Sequence, residues 1–85
     1  MAGYRLLIKP SAAKELEALP KKFRASVVAR ISGLASEPRP PGSEKLSGAE
    51  KYRVRQGVYR VVYAVDDVAR TVLIVKIGHR KDVYR

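Results

Sequence analysis

The side chains with the most chemical potential fall in two places. Residues 51–63 read Lys-Tyr-Arg-Val-Arg-Gln-Gly-Val-Tyr-Arg-Val-Val-Tyr, so that Lys51, Arg53, Arg55 and Arg60 alternate with apolar and aromatic positions. The C-terminal stretch then brings His79 and Tyr84. Four cations at such spacing can hold an anion, phosphate above all. The imidazole titrates near neutrality, with a reference pKa of ~6.5, and the phenol near ~10, a value that neighbouring arginines lower by favouring the phenolate. Two plainer readings stand beside these: a basic strand is often only a solvated face, and a lone histidine or penultimate tyrosine is often structural.

These groups need a frame. Tyr, Val and strict alternation predict a β-hairpin, with Gln56-Gly57 as its loop and the glycine supplying positive φ. That register places Arg53 opposite Arg60 and divides the hairpin into a face with Lys51, Arg53, Arg55 and Arg60 and a core face with Tyr52, Val54, Tyr59, Val61, Tyr63 and Val65. Directly opposed like charges destabilise a pair by roughly 0.2–1 kcal/mol. No acidic residue lies between positions 51 and 65 to compensate, and the conflict implies an anion that is not part of the chain.

Upstream, residues 4–9 predict a first strand that ends at Pro10. Ser11 is the expected N-cap of a helix over residues 12–19, with Ala12, Leu16 and Leu19 on one stripe. Pro20 ends it and starts a second helix whose apolar stripe is Phe23, Val27, Ile31 and Leu34, with Lys22, Arg24, Ala29 and Arg30 turned to solvent. Residues 37–42, with three prolines, form a stiff connector. Asp66 to Arg70 is a second turn. Thr71 to Ile77 is so continuously apolar that it is expected to be central and covered on both faces, ending at Gly78. The predicted class is α+β: a small, mostly antiparallel sheet in the order β-α-α-β-β-β with an N-terminal αα-hairpin on one face, in one domain spanning residues 1–85.

Composition narrows the partners. The chain has 85 residues, 46% of them hydrophobic, and carries a formal charge of +10. The apolar share argues for a folded core, and the charge for a polyanionic partner, first nucleic acid and then an acidic protein. No segment approaches the ~18 apolar residues of a membrane span, and no signal peptide is evident, so a cytoplasmic protein without a membrane partner is expected. There is no cysteine, and no His or carboxylate spacing suggests a metal or other cofactor.

Taken together, several separated motifs resemble the RelE/ParE superfamily of bacterial and archaeal toxins, closest to its RelE branch, over nearly the whole chain. They are Pro10-Ser11-Ala12-Ala13-Lys14-Glu15-Leu16, Leu19-Pro20, Lys45-Leu46-Ser47-Gly48, the hairpin itself, and Gly78-His79-Arg80-Lys81-Asp82-Val83-Tyr84. The resemblance implies the toxin of a type II toxin–antitoxin pair that cuts messenger RNA in the ribosomal A site, with contacts to 16S rRNA. It implies an acidic antitoxin and a toxin–antitoxin hetero-oligomer. By position it puts catalysis on Arg60, Arg80 and Tyr84 and phosphate binding on Lys51, Arg53 and Arg55, with His79 as a further acid–base group where some relatives carry lysine. The rival implied by the same superfamily is a ParE-like inhibitor of DNA gyrase without nuclease chemistry. An RNA-binding module with no activity of its own needs only the charge.

Overall fold

A computed structural model describes residues 3–46, 50–79 and 81. Its elements are β1 (Arg5–Ile8), α1 (Pro10–Glu17), α2 (Lys21–Gly33), β2 (Glu44–Lys45), β3 (Lys51–Gln56), β4 (Tyr59–Asp66) and β5 (Thr71–His79). They build one sheet in the order β1-β5-β4-β3-β2. All pairings are antiparallel except β1 with β5, which run parallel, joined by the long crossover through α1, α2 and the strands β2 to β4. The expected α+β architecture is therefore present, with a two-residue edge strand, β2, that the sequence did not announce.

Both helices cover one face. Ala12 of α1 and Val27, Ile31 and Leu34 of α2 meet Tyr52, Val54, Val61, Tyr63, Val65, Val72, Ile74 and Ile77 of the sheet. Phe23, expected on the same stripe, lies at its end and is 40% exposed. Ser11 is not the N-cap of α1: Lys9 holds that position without a side-chain cap and Pro10 fills the first turn, where a missing N–H leaves nothing unsatisfied.

The hairpin register differs from expectation by two residues. Gly57 and Val58 form the loop, and Gln56 pairs with Tyr59, Arg55 with Arg60, Val54 with Val61 and Arg53 with Val62. Gly57 has φ +63°, and a II′ turn needs its positive φ at the first loop position, which moves the glycine one place forward in the loop. A shift of two preserves every residue's face, whereas a shift of one would have inverted them. Arg60 thus opposes Arg55, not Arg53.

β5 is an inner strand, but β4 is the central one and is buried on both faces. In β5 the core positions are Val72, Ile74 and Ile77, a spacing of two and then three. The pairing passes from Val62–Lys76 to Tyr63–Ile74, so Val75 is the extra residue of a bulge. The unbroken apolar run reflects that change of phase and not burial on both sides. Nor does Gly78 end the strand, which continues to His79.

The proline connector is tied to the sheet by two side chains. Tyr63 donates its hydroxyl hydrogen to the Pro38 carbonyl at 2.6 Å. Arg39 grips both carboxylate oxygens of Asp67 at 3.2 and 2.9 Å, and its Nε–H donates to the Tyr52 hydroxyl at 2.9 Å. The guanidinium, followed by the Tyr4 hydroxyl at 2.7 Å, holds the Asp67 carboxyl below its ordinary range. Burial pushes the Tyr63 phenol above its ordinary value of 10.

A phenol with a raised folded pKa stabilises the fold fully below about pH 10, the unfolded value, and that stabilisation drains as the pH climbs through the folded value. Tyr63→Phe is expected to lower stability by about 1 kcal/mol at neutral pH, through the lost hydrogen bond, and to shift the midpoint by roughly 4–8 °C. It should also flatten the alkaline limb of the stability curve. Thermal melts of both proteins from pH 7 to 11.5 check this, and parallel alkaline limbs would show that another group governs them.

Candidate active site

Sheet parity puts Lys51, Arg53, Arg55 and Arg60 on the face opposite the helices, together with Val62, Ala64 and Lys76. At its centre is Arg60, only 7% exposed despite its charge. It belongs to the middle strand, and its cross-strand neighbours are Arg55 on β3 and Gly78 on β5. Arg55 and Lys51 are exposed, and so are mobile cations at the margin of a fixed one.

Arg53 and Lys76 on this face have acidic partners. Glu44 of β2 is the register partner of Arg53 and forms an ion pair with it, which answers the missing carboxylate of the hairpin. Lys76 Nζ meets Glu15 Oε2 of α1 at 3.3 Å, while Glu15 Oε1 accepts the Ile77 N–H at 2.9 Å. β1 reaches only as far as Ile74 along β5, and the carboxylate takes the place of the absent ladder partner beyond it. The acids Glu50 and Asp67 lie toward the β4–β5 turn, away from Gly57, and are engaged by Lys45 and Arg39. Arg55 and Arg60 are cross-strand partners near the hairpin tip.

His79 faces the other way. It is the register partner of Tyr59, so it belongs to the helix side of the sheet, and its ring stands edge-on to Tyr59 with centroids 6.1 Å apart. Its Nδ1 accepts the Lys81 N–H at 3.2 Å, which leaves Nε2 to carry the proton in the neutral ring. The hairpin arginines and His79 are thus on opposite sides of one sheet. Arg80 and Tyr84 lie outside the described residues.

Sequence reasoning missed Glu15 and Glu44, since an acid that pairs across a sheet from a distant element leaves no local pattern. It also assigned Arg30 to solvent. That residue is half-buried, with its Nε enclosed.

Comparison with known proteins agrees with this architecture. Residues 6–84 match the family model described as the ParE toxin of type II toxin–antitoxin systems. Toxin RelG of Mycobacterium tuberculosis is 35% identical over 86 residues, covering 96% of this chain and 97% of that protein. Among solved structures, the RelBE2 toxin–antitoxin complex of M. tuberculosis superposes with a TM-score of 0.81 at 31% identity, covering 92% of this chain and 99% of that one. The archaeal RelE–RelB complex of Pyrococcus horikoshii gives 0.80 at 30% identity, with 96% and 99% covered. With a family match across nearly its whole length and relatives of this identity, the chain belongs to the RelE/ParE superfamily of toxins of type II toxin–antitoxin systems.

Proposed function

We propose that the chain is a ribosome-dependent endoribonuclease that cuts messenger RNA in the A site, and that the observation carrying this reading is the placement of Arg60. A guanidinium buried in the central strand and opposed by a second arginine is an oriented cation on the face opposite the helices, of the kind that suits a phosphate. In the reaction the 2′-oxygen forms a bond to the adjacent phosphorus and the bond from phosphorus to the 5′-oxygen breaks. A base takes the 2′ proton, an acid returns one to the 5′-oxygen, and cations stabilise the charge that builds on the phosphorane. Tyr84 is assigned as base and Arg80 as the group beside the leaving oxygen. Arg60, with Arg55, holds the phosphate, Lys51 extends the track, and Arg53 contributes less because Glu44 shares its charge. This route uses side chains alone. His79, on the other side of the sheet, is assigned to positioning.

Primer-extension mapping of messenger RNA after expression tests the reading directly. Cuts confined to translated codons support it. Intact transcripts together with blocked gyrase would replace it by the ParE-like reading, which the matched family description itself favours.

The partner in this proposal is a cognate acidic antitoxin, as in the RelB–RelE complexes that this fold resembles. Beyond the cationic face, the chain offers it an apolar strip. Leu6, Leu7 and Ile8 on the open edge of β1 are 37%, 44% and 41% exposed and, with Val28 of α2, line a cavity of about 150 Å³. Arg5 and Lys9 bracket the strip along the chain, and Arg24 shares a second surface depression with Val28. An unguarded apolar edge rimmed by cations suits an acidic amphipathic chain. Co-expression with the neighbouring reading frame is expected to give a complex that survives size exclusion, and Leu7→Asp with Val28→Asp to release the antitoxin while the free toxin still cuts. A double variant that stays bound would move the interface elsewhere.

A further inference from the structure

Past Ile74 the inner strand β5 loses one of its two neighbours. β1 pairs with it from Thr71 to Ile74, and the Lys9 N–H closes that ladder on the Ile74 carbonyl at 3.0 Å, after which Pro10 turns the chain into α1. In a regular strand every second residue turns its backbone groups to the same edge. The extra residue at Val75 changes that phase, so the next N–H to face the vacated edge belongs to Ile77, whose side chain also returns to the core side with Ile74.

Glu15 of α1 meets it there. Its Oε1 accepts the Ile77 N–H at 2.9 Å while its Oε2 lies 3.3 Å from Lys76 Nζ, so one carboxylate stands at the edge of the sheet where a further strand would run. The stretch it holds frames Arg60. Gly78, next after Ile77, is the register partner of Arg60, and His79 is that of Tyr59. Glycine brings no side chain to anchor this end of β5, which is left to the β4 ladder, the buried Ile77 and the Glu15 carboxylate. A hydrogen bond to an ionised acceptor is stronger than a neutral one, and a preorganised cation loses its advantage when its frame drifts by about an ångström.

We propose that Glu15 is a positioning residue for the cationic site: through the Ile77 N–H it fixes the end of β5 against β4, and thereby the orientation in which Arg60 meets a phosphate. Its effect on cleavage rate rests on the nuclease reading; its effect on phosphate binding does not.

Glu15→Ala removes acceptor and charge together, whereas Glu15→Gln keeps an acceptor for the Ile77 N–H and removes only the charge. Single-turnover cleavage on programmed ribosomes, at saturating toxin and well below the thermal midpoint, is expected to fall about 10- to 100-fold in Glu15→Ala and to stay within about 3-fold of wild type in Glu15→Gln. In an Arg60→Met background Glu15→Ala is expected to cost nothing further, because its effect passes through that guanidinium. Inorganic phosphate, titrated into the free chain and followed at the Arg60 Nε–H signal by NMR, is expected to bind at least ~3-fold more weakly to Glu15→Ala than to Glu15→Gln. Should Glu15→Ala fail to fold, Glu15→Asp, which keeps the charge on a stem too short for the Ile77 N–H, carries the same test. Cleavage by Glu15→Ala equal to wild type, an equal loss in Glu15→Gln, or a loss that adds in full to that of Arg60→Met would overturn the proposal. Unchanged phosphate binding in Glu15→Ala of a toxin that cuts messenger RNA removes the positioning role alone. Weakened phosphate binding that Glu15→Gln restores, in a toxin that never cuts, removes the nuclease reading alone.

Discussion

Arg60→Met is expected to lower messenger RNA cleavage by about 10²–10³-fold while leaving the thermal midpoint close to wild type. Methionine keeps an unbranched apolar stem over the central strand, where Arg60 is 7% exposed, and removes only the charged fork. Alanine would remove both, so a loss seen only in Arg60→Ala would report on packing. Arg60→Lys separates charge from geometry: an ammonium at the end of a flexible stem restores phosphate attraction but not two-point donation, and partial recovery is the expected result. Single-turnover cleavage on programmed ribosomes, paired with melting curves, gives both readouts. Full activity in Arg60→Met would dismiss the central cation from the reaction.

The margin of the site should respond differently. Arg55 is exposed and faces Arg60, so Arg55→Ala relieves a like-charge pair and, on the nuclease reading, removes one phosphate contact. Its variant therefore gains or keeps stability and loses binding, with the salt dependence of association falling by about one charge. Arg53→Ala reverses the balance, because its charge is already engaged by Glu44. Buried placement distinguishes Arg60 from Arg55: a surface cation follows the nearest anion, whereas one anchored in the central strand stays oriented for an incoming phosphate.

The faces of the sheet were legible in the sequence because side-chain alternation has a period of two, and the register error was also two residues, so Tyr52, Val54, Val61 and Tyr63 stayed on the core side. The helical stripes were legible for the same reason of periodicity. What stayed hidden depends on long-range pairing. β2 is two residues long and exists because Glu44 and Lys45 find Arg53 and Tyr52, a contact with no local signature. The bulge at Val75 looked like extra burial because apolar residues cover a change of phase as well as they cover a buried face. Arg30 fell on the polar side of an amphipathic helix, and only the path of the proline connector encloses it. Of the candidate site, type and face could be read for the hairpin arginines, but the separation of His79 from them follows from pairing Tyr59 with His79.

That separation sharpens the contest for the role of general base. Tyr84→Phe keeps the ring and deletes the hydroxyl, so a base at this position predicts a loss of about 10²–10⁴-fold in cleavage with binding and stability little changed. His79→Ala is expected to do much less, because its ring packs edge-on to Tyr59 on the helix side and its Nδ1 is occupied by the Lys81 N–H. The pH profile separates the two further. By the reference order of the two side chains, a phenol as base keeps the rate climbing well above neutrality, whereas an imidazole base levels it off nearer neutral pH. A plateau near neutral pH with a large loss in His79→Ala would transfer the role to the imidazole and require the strand to pass round the sheet edge. Equal cleavage by wild type and both variants would leave the C-terminal stretch a purely structural part and return the chemistry to the arginines alone.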